Sequence, residues 1–148
     1  MSYTATSPAR DLATYLQTGS IGTVGTPTTG TAIAVGMEPP VDAALKLEKC
    51  ITLYDTGGTD PDPRGTLDRP TVQVRVRGPA RDYSAGWAIA QQARDYLLGK
   101  NGFTVNSRRY VCIWLEGDVA FLMRDAGDRP IFTFNLRTMR EPYIAPTP

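Results

Sequence analysis

Histidine is absent from all 148 residues. Without it, no Ser-His-Asp or Cys-His catalytic arrangement can form within the chain. His-ligated metal centres and imidazole pH switches are excluded on the same ground. The two cysteines, Cys50 and Cys112, are too few for a four-thiolate zinc site and fewer than a disulfide framework normally uses. Long apolar runs are also missing. The longest covers residues 110–115, far short of the ~20 needed to span a bilayer. Residues 1–10 carry no apolar stretch of a secretory signal. Nor is one sign of charge in excess. Lys plus Arg number 16 against 15 Asp plus Glu, for a net charge of +1, unlike a protein built to grip phosphate. These absences predict a protein that is soluble, free of membrane, made in a reducing cytoplasm and without cofactor or metal.

What is present predicts one folded domain over residues 1–148. Apolar residues make up 41% of the chain. The 14 glycines and 12 prolines are below the disordered range of about 25–30% but enough for long loops. Residues 1–6 should be flexible, and the Pro-rich residues 142–148 should extend off the domain.

Ser7-Pro8 is an N-cap followed by proline at the first helical position, and Leu12, Tyr15 and Leu16 form a buried stripe up to Gly19. A Gly/Thr loop over 19–30 leads to a short strand over 31–37. Residues 41–49 fit either a helical turn or a linker. Strict alternation predicts strands over 50–54 and 71–77, the second with Val72, Val74 and Val76 on one face. A second helix over 82–98, stopped by Gly99, should bury Ala85, Ile89, Ala93, Tyr96 and Leu97. Three β segments close the chain, over 110–115, 119–124 and 131–139, with a hairpin turn over 125–130. The order predicts an α+β domain: a largely antiparallel or mixed β-sheet with two main helices packed on one face.

Site motifs fail one by one. Gly99-Lys100 is followed by Asn101, and Arg94 occupies the upstream glycine position of a phosphate loop. Glycines 19, 22 and 25 follow no predicted strand, so a dinucleotide fingerprint fails as well. Asp60, Asp62 and Gly65 sketch a calcium loop, but Arg64 and Thr71 stand where it needs an oxygen ligand and a bidentate Glu. Cys50 and Cys112 read as core residues.

Three features point to contact surfaces, the second helix most strongly. Trp87, Gln91, Arg94 and Leu98 lie opposite the predicted core face of the second helix, and an outward Trp and Leu around an Arg is interface composition. The plain alternative is that another part of the chain covers Trp87. Arg75 and Arg77 share a strand face that is either solvated or packed on a neighbouring subunit. The loop over 55–70, with Asp55, Gly57, Gly58, Asp60, Asp62, Arg64, Asp68 and Arg69, has few apolar side chains to offset its ordering entropy. It is expected to be mobile when free and to order as a docking element against a neighbour.

In order along the chain come a first helix with ARDLATYLQTG, a strand ending Ala34-Val35-Gly36-Met37-Glu38-Pro39, and Ile51-Thr52-Leu53-Tyr54-Asp55-Thr56-Gly57-Gly58. Then follow Pro70-Thr71-Val72-Gln73-Val74-Arg75-Val76-Arg77, a helix with Ala93, Leu97 and Gly99, and Asp125, Gly127 and Arg129 before Phe132-Thr133-Phe134-Asn135-Leu136-Arg137. From about residue 10 to 140 this arrangement resembles the small tail-completion proteins, of minor capsid or tail terminator type, of long-tailed bacteriophages. The resemblance implies a non-enzymatic virion protein, assembled in the host cytoplasm. It would form a homo-oligomeric ring, typically a hexamer, at the head-proximal end of the tail tube. Such a ring stops tube polymerisation and joins the neck, while DNA slides through the lumen without specific binding. Its partners would be the tail tube protein and a neck or head-completion protein. Three other readings compete: a head-completion connector beneath the portal, a small enzyme using Asp, Lys or Tyr, and a monomeric nucleic-acid-binding module.

Overall fold

The computed structural model describes residues 5–25, 27, 29–41, 48–60, 63–65, 67–98 and 101–142. Helix α1 (Pro8–Thr18) starts as its sequence requires. The Ser7 hydroxyl accepts from the Arg10 N–H at 3.2 Å, and Pro8 occupies the first turn. A second orphan donor, the Ala9 N–H, donates to the Asp55 carboxylate at 2.8 Å. Helix α2 (Tyr83–Leu97) is capped by Asp82, which accepts from the Ala85 N–H at 3.0 Å.

Eight strands form one mixed sheet: β1 (Thr23–Val24), β2 (Ala32–Val35), β3 (Cys50–Gly58), β4 (Pro70–Arg77), β5 (Asn101–Val105), β6 (Arg108–Leu115), β7 (Ala120–Arg124) and β8 (Pro130–Arg140). Their order is β1-β2-β3-β4-β8-β6-β5, with β7 also paired to β8. The β1–β2 and β2–β3 pairs are parallel and the rest antiparallel. The expected α+β class with a mixed sheet and two helices is therefore the observed one.

The core lies between one sheet face and both helices. Ile51, Leu53, Val72, Val74, Val76, Phe132 and Phe134 pack against Leu12 and Leu16 of α1 and Ala90, Ala93 and Leu97 of α2. Alternation places Gln73, Arg75, Asn135 and Arg137 on the helix-free face.

Several expected boundaries change. Strand β3 runs on to Gly58 through a bulge between Asp55 and Gly58, so residues 55–58 of the expected 55–70 loop are strand and the connection is 59–69. Two strands appear where none was expected, β1 inside the Gly/Thr loop and β5 after α2. The 110–115 and 119–124 segments, joined through Gly117-Asp118, do not pair with each other. Strands β6 and β7 lie end to end along the same side of β8, β6 against 136–140 and β7 against 130–133. The buried stripe of α2 is Gly86, Ala90, Ala93 and Leu97, turned about 60° from the expected one at 100° per residue. Close backbone approach explains the turn. A Cβ on Gly78, at the end of β4, would come within 2.6 Å of the Gly86 Cα, so α2 seats on the sheet through two glycines. The expected Gly99 stop, most of the 41–49 segment, and most of both expected flexible ends lie outside the described residues.

Candidate assembly surface

One level of the sheet runs unbroken across six strands. Val24, Ile33, Ile51, Val76, Phe132 and Phe121 stand side by side in register from β1 to β7. The two ends of this row are finished differently. Strand β1 is two residues long, and the Val24 N–H is taken by the Gln17 side-chain carbonyl at 2.7 Å. A very short, capped edge offers little to another strand. Strand β7 is five residues long and pairs only with β8 among the described strands, and all five residues are exposed.

The exposure of β7 is apolar. Phe121, Leu122 and Met123 are 43%, 49% and 47% exposed. A bulge between Phe121 and Met123 sets two β7 positions against one β8 step, which breaks the alternation and turns three consecutive apolar side chains outward. The flank of α2 joins them. Tyr83 lies 5.5 Å from the Phe121 ring and 5.0 Å from Phe132, and Trp87 meets Phe132 edge-on at 5.8 Å. Buried Phe132 is thus the floor of an exposed aromatic cluster drawn from α2 and β7. Edge-to-face rings at these separations attract beyond their buried area, so the cluster is preorganised.

Of the residues expected at a subunit interface, Trp87 and Leu98 are exposed, on the flank of α2 rather than opposite its core face. Arg94 is tied down. Its Nη1 donates to both Asp118 oxygens at 3.0 Å, bracing α2 against the β6–β7 connection. The Val119 N–H and then Arg94 hold the Asp118 carboxyl below its ordinary range. Gln91 donates to Asp95 at 3.3 Å. Arg75 sits half-buried on the helix-free face, its Nε without a hydrogen-bond partner among the described residues. Arg77 corrects the expectation of a surface site. It is 5% exposed, and it donates to the Glu48 and Pro39 carbonyls at 2.9 and 2.8 Å and pairs with Glu38 at 3.4 Å. It fastens the 38–48 connection to the sheet.

The expected docking loop divides in the same way. Asp55 caps α1, and Gly57 and Gly58 belong to β3. Asp68 exchanges backbone hydrogen bonds with Arg140 in both directions, at 2.8 and 2.9 Å. Asp60, Arg64 and Arg69 are exposed on the connection over 59–69, and Asp62 lies outside the described residues.

Residue reading missed a buried polar centre. Asp11, fully buried on α1, accepts from the Tyr110 hydroxyl at 2.6 Å, Asn106 at 2.9 Å and the Thr6 hydroxyl, and pairs with Arg140 at 3.3 Å. Burial, reinforced by the Asp11 carboxylate, pushes the Tyr110 phenol well above its usual range. Every oxygen of the carboxylate has partners, as a buried charge requires. The centre joins α1 to β6, β8 and the β5–β6 turn, with Asp11 and Tyr110 fully buried and Asn106 at its exposed rim. Cys50 and Cys112 are free and sit on strands three places apart in the sheet. At about 4.8 Å per strand that is roughly 14 Å, too far for a disulfide. Among the described residues no three His, Cys, Asp or Glu side chains converge as metal ligands, and no helix is long and apolar enough to cross a membrane.

Comparison with known proteins matches this geometry to a class. The family described as bacteriophage tail terminator protein matches residues 16–141, a span holding all eight strands and α2. The chain belongs to that family, a structural family of phage tails, and is a virion tail component. A chain from the virion of a native gene transfer agent particle shares the fold, with a TM-score of 0.56 and 17% identity over 74% of this chain and 78% of that one. A second solved structure has a TM-score of 0.50 and 14% identity over 92% of both chains. No curated protein sequence matches.

Proposed function

We propose that the protein closes into a ring, of six copies by family resemblance, on the head-proximal end of the tail tube, where it ends tube polymerisation and receives the neck. The family match over residues 16–141 carries this reading. The exposed aromatic cluster of α2 and β7 supports it, because a free monomer gains nothing from leaving such a surface in water. The helix-free sheet face, with Gln73, Arg75, Asn135 and Arg137, suits a wet lumen through which DNA moves without base-specific contact. No catalysis is assigned, and assembly takes place in the host cytoplasm.

The connection over 59–69 is the docking element in this reading. Its base is fixed by the Asp68–Arg140 exchange, and Asp60 and Arg64 are exposed on it. Replacing residues 60–65 with a Gly/Ser linker should give a folded protein whose tails are overlong or headless; normal virions would remove the loop from the function. The reading as a whole is tested by a phage lacking the protein. Overlong, headless tails are expected. Tails of normal length beside leaking heads would assign the chain to head completion instead.

A further inference from the structure

The ends of the six-strand row differ in shape as well as in hydrogen bonding. The β7 end is an exposed apolar ridge of Phe121, Leu122 and Met123, with a shallow hollow lined by Tyr83, Ser84 and Trp87 beside it. The β1–β2 end is a groove between the start of α1 and the sheet edge, its floor of Val24, Ile33, Val35, Met37 and Pro39 flanked by Arg10 and Glu38. Met37 is 76% exposed there, the largest exposure of any large apolar side chain among the described residues. One chain thus carries an apolar ridge and an apolar-floored groove on opposite edges of one sheet, the groove running from the level of Phe121, at Val24 and Ile33, past the end of β2 to Met37.

We infer that the occupant of the groove is the β7 ridge of a second copy, so that subunits join head to tail. A two-fold contact pairing β7 with β7 would cover the ridge and leave Met37 and the groove in water. The one kind of contact that covers both at once joins unlike surfaces, and when its rotation closes it generates a ring. Contact runs mainly through side chains, because Gln17 already occupies the outward Val24 N–H of β1. This inference rests on the ring reading above and names the surfaces that would build the ring.

The test uses two variants of the full chain, Leu122→Glu on the ridge and Met37→Glu in the groove. Both positions are exposed, so both variants should fold with unchanged melting temperatures. Light scattering then reports mass, with and without isolated tail tubes as nucleators. Each variant alone should lose ring formation at least 30-fold, the weight of one central anchor of about 2 kcal/mol. Mixed in equal amounts, they should form a one-to-one dimer and stop. The intact ridge of one enters the intact groove of the other, and both remaining surfaces are broken. Rings from either variant alone, or a monomeric mixture where the unmodified chain forms rings, would overturn the head-to-tail surfaces while leaving the ring intact. An unmodified chain that stays monomeric even on tubes would instead overturn the ring reading.

Discussion

The α1 side and the α2 side of this molecule solve the same problem in opposite ways. Both helices cover one sheet face with small and aliphatic side chains. On the α1 side the buried charge and the edge backbone are met internally, and what stays exposed is Met37 with the groove beside it. Asp11 is saturated by four partners, the Ala9 N–H is met by Asp55, and the β1 edge is two residues long and capped by Gln17. On the α2 side the helix leaves Tyr83, Trp87 and Leu98 exposed beside an open, five-residue strand of exposed side chains. A chain able to cap the backbone of one edge has the means to cap the backbone of the other. The open edge therefore marks where the folded monomer is still an incomplete structure.

The strongest way to break this contrast is to open the closed side. Asp11→Ala leaves the Tyr110 hydroxyl, Asn106 and the Arg140 guanidinium without their common acceptor in a buried site. Removing one partner of a buried ionic network costs about 3–5 kcal/mol. Chemical denaturation should show that loss, and α1 should detach from the β5–β6 turn. A loss under about 1 kcal/mol would mean that water replaces the carboxylate freely and that the α1 side is less closed than its geometry.

Trp87→Ala probes the open side. The ring is 39% exposed and touches Phe132 along its edge, so truncation should cost the monomer little. At a subunit boundary the same side chain would carry about 2 kcal/mol, or some 30-fold in assembly. Assembly should therefore fall much further than the melting temperature. An equal fall in both would make Trp87 a lid for Phe132 and nothing more.

Acid should loosen the open side through the turn between β7 and β8. Partial burial opposes ionisation of Asp125, but the N–H groups of Arg129 and Gly127, at 2.9 Å each, and the Arg129 charge outweigh it and hold the carboxyl below its ordinary value. A depressed folded value means the contribution is whole above the unfolded value near 4 and is lost as pH falls through the folded one. Asp125→Asn should remove that part of the acid dependence and cost about 1 kcal/mol at neutral pH. An unchanged acid profile would show that the turn holds β7 without this charge.

How far the sequence discloses this design depends on the range of the interactions. Local signals translate directly. The Ser7-Pro8 cap, the Val72/Val74/Val76 alternation and the 125–130 turn all appear as the residues imply. The parallel β1–β2–β3 pairing does not, because strands of two and four residues have too little pattern to register. The Asp11 centre is hidden for another reason. Asp in a first helical turn is ordinary dipole chemistry, and its partners lie up to 129 positions away. Phe121-Leu122-Met123 did carry a signal. Three consecutive apolar residues cannot alternate, and in a strand they imply a bulge or an open face.

The smallest expected effect tests whether the β1 edge is closed by the single contact assigned to it. Gln17 is one exposed side chain donating nothing to the core; its carbonyl accepts the Val24 N–H at 2.7 Å. An exposed hydrogen bond of this kind contributes about 0.5–1 kcal/mol, so Gln17→Ala should barely move the melting temperature. Its effect should concentrate on one amide. Val24 hydrogen exchange should quicken, while Gly25, whose N–H donates inward to the Ile33 carbonyl at 3.1 Å, keeps its protection. Ring formation should be unaffected, since the groove receives side chains and not a strand. Unchanged Val24 exchange would show that something other than Gln17 closes this edge. Side-by-side aggregation of the variant would show that a one-residue cap had been holding back strand addition, and the two edges would then differ in degree and not in kind.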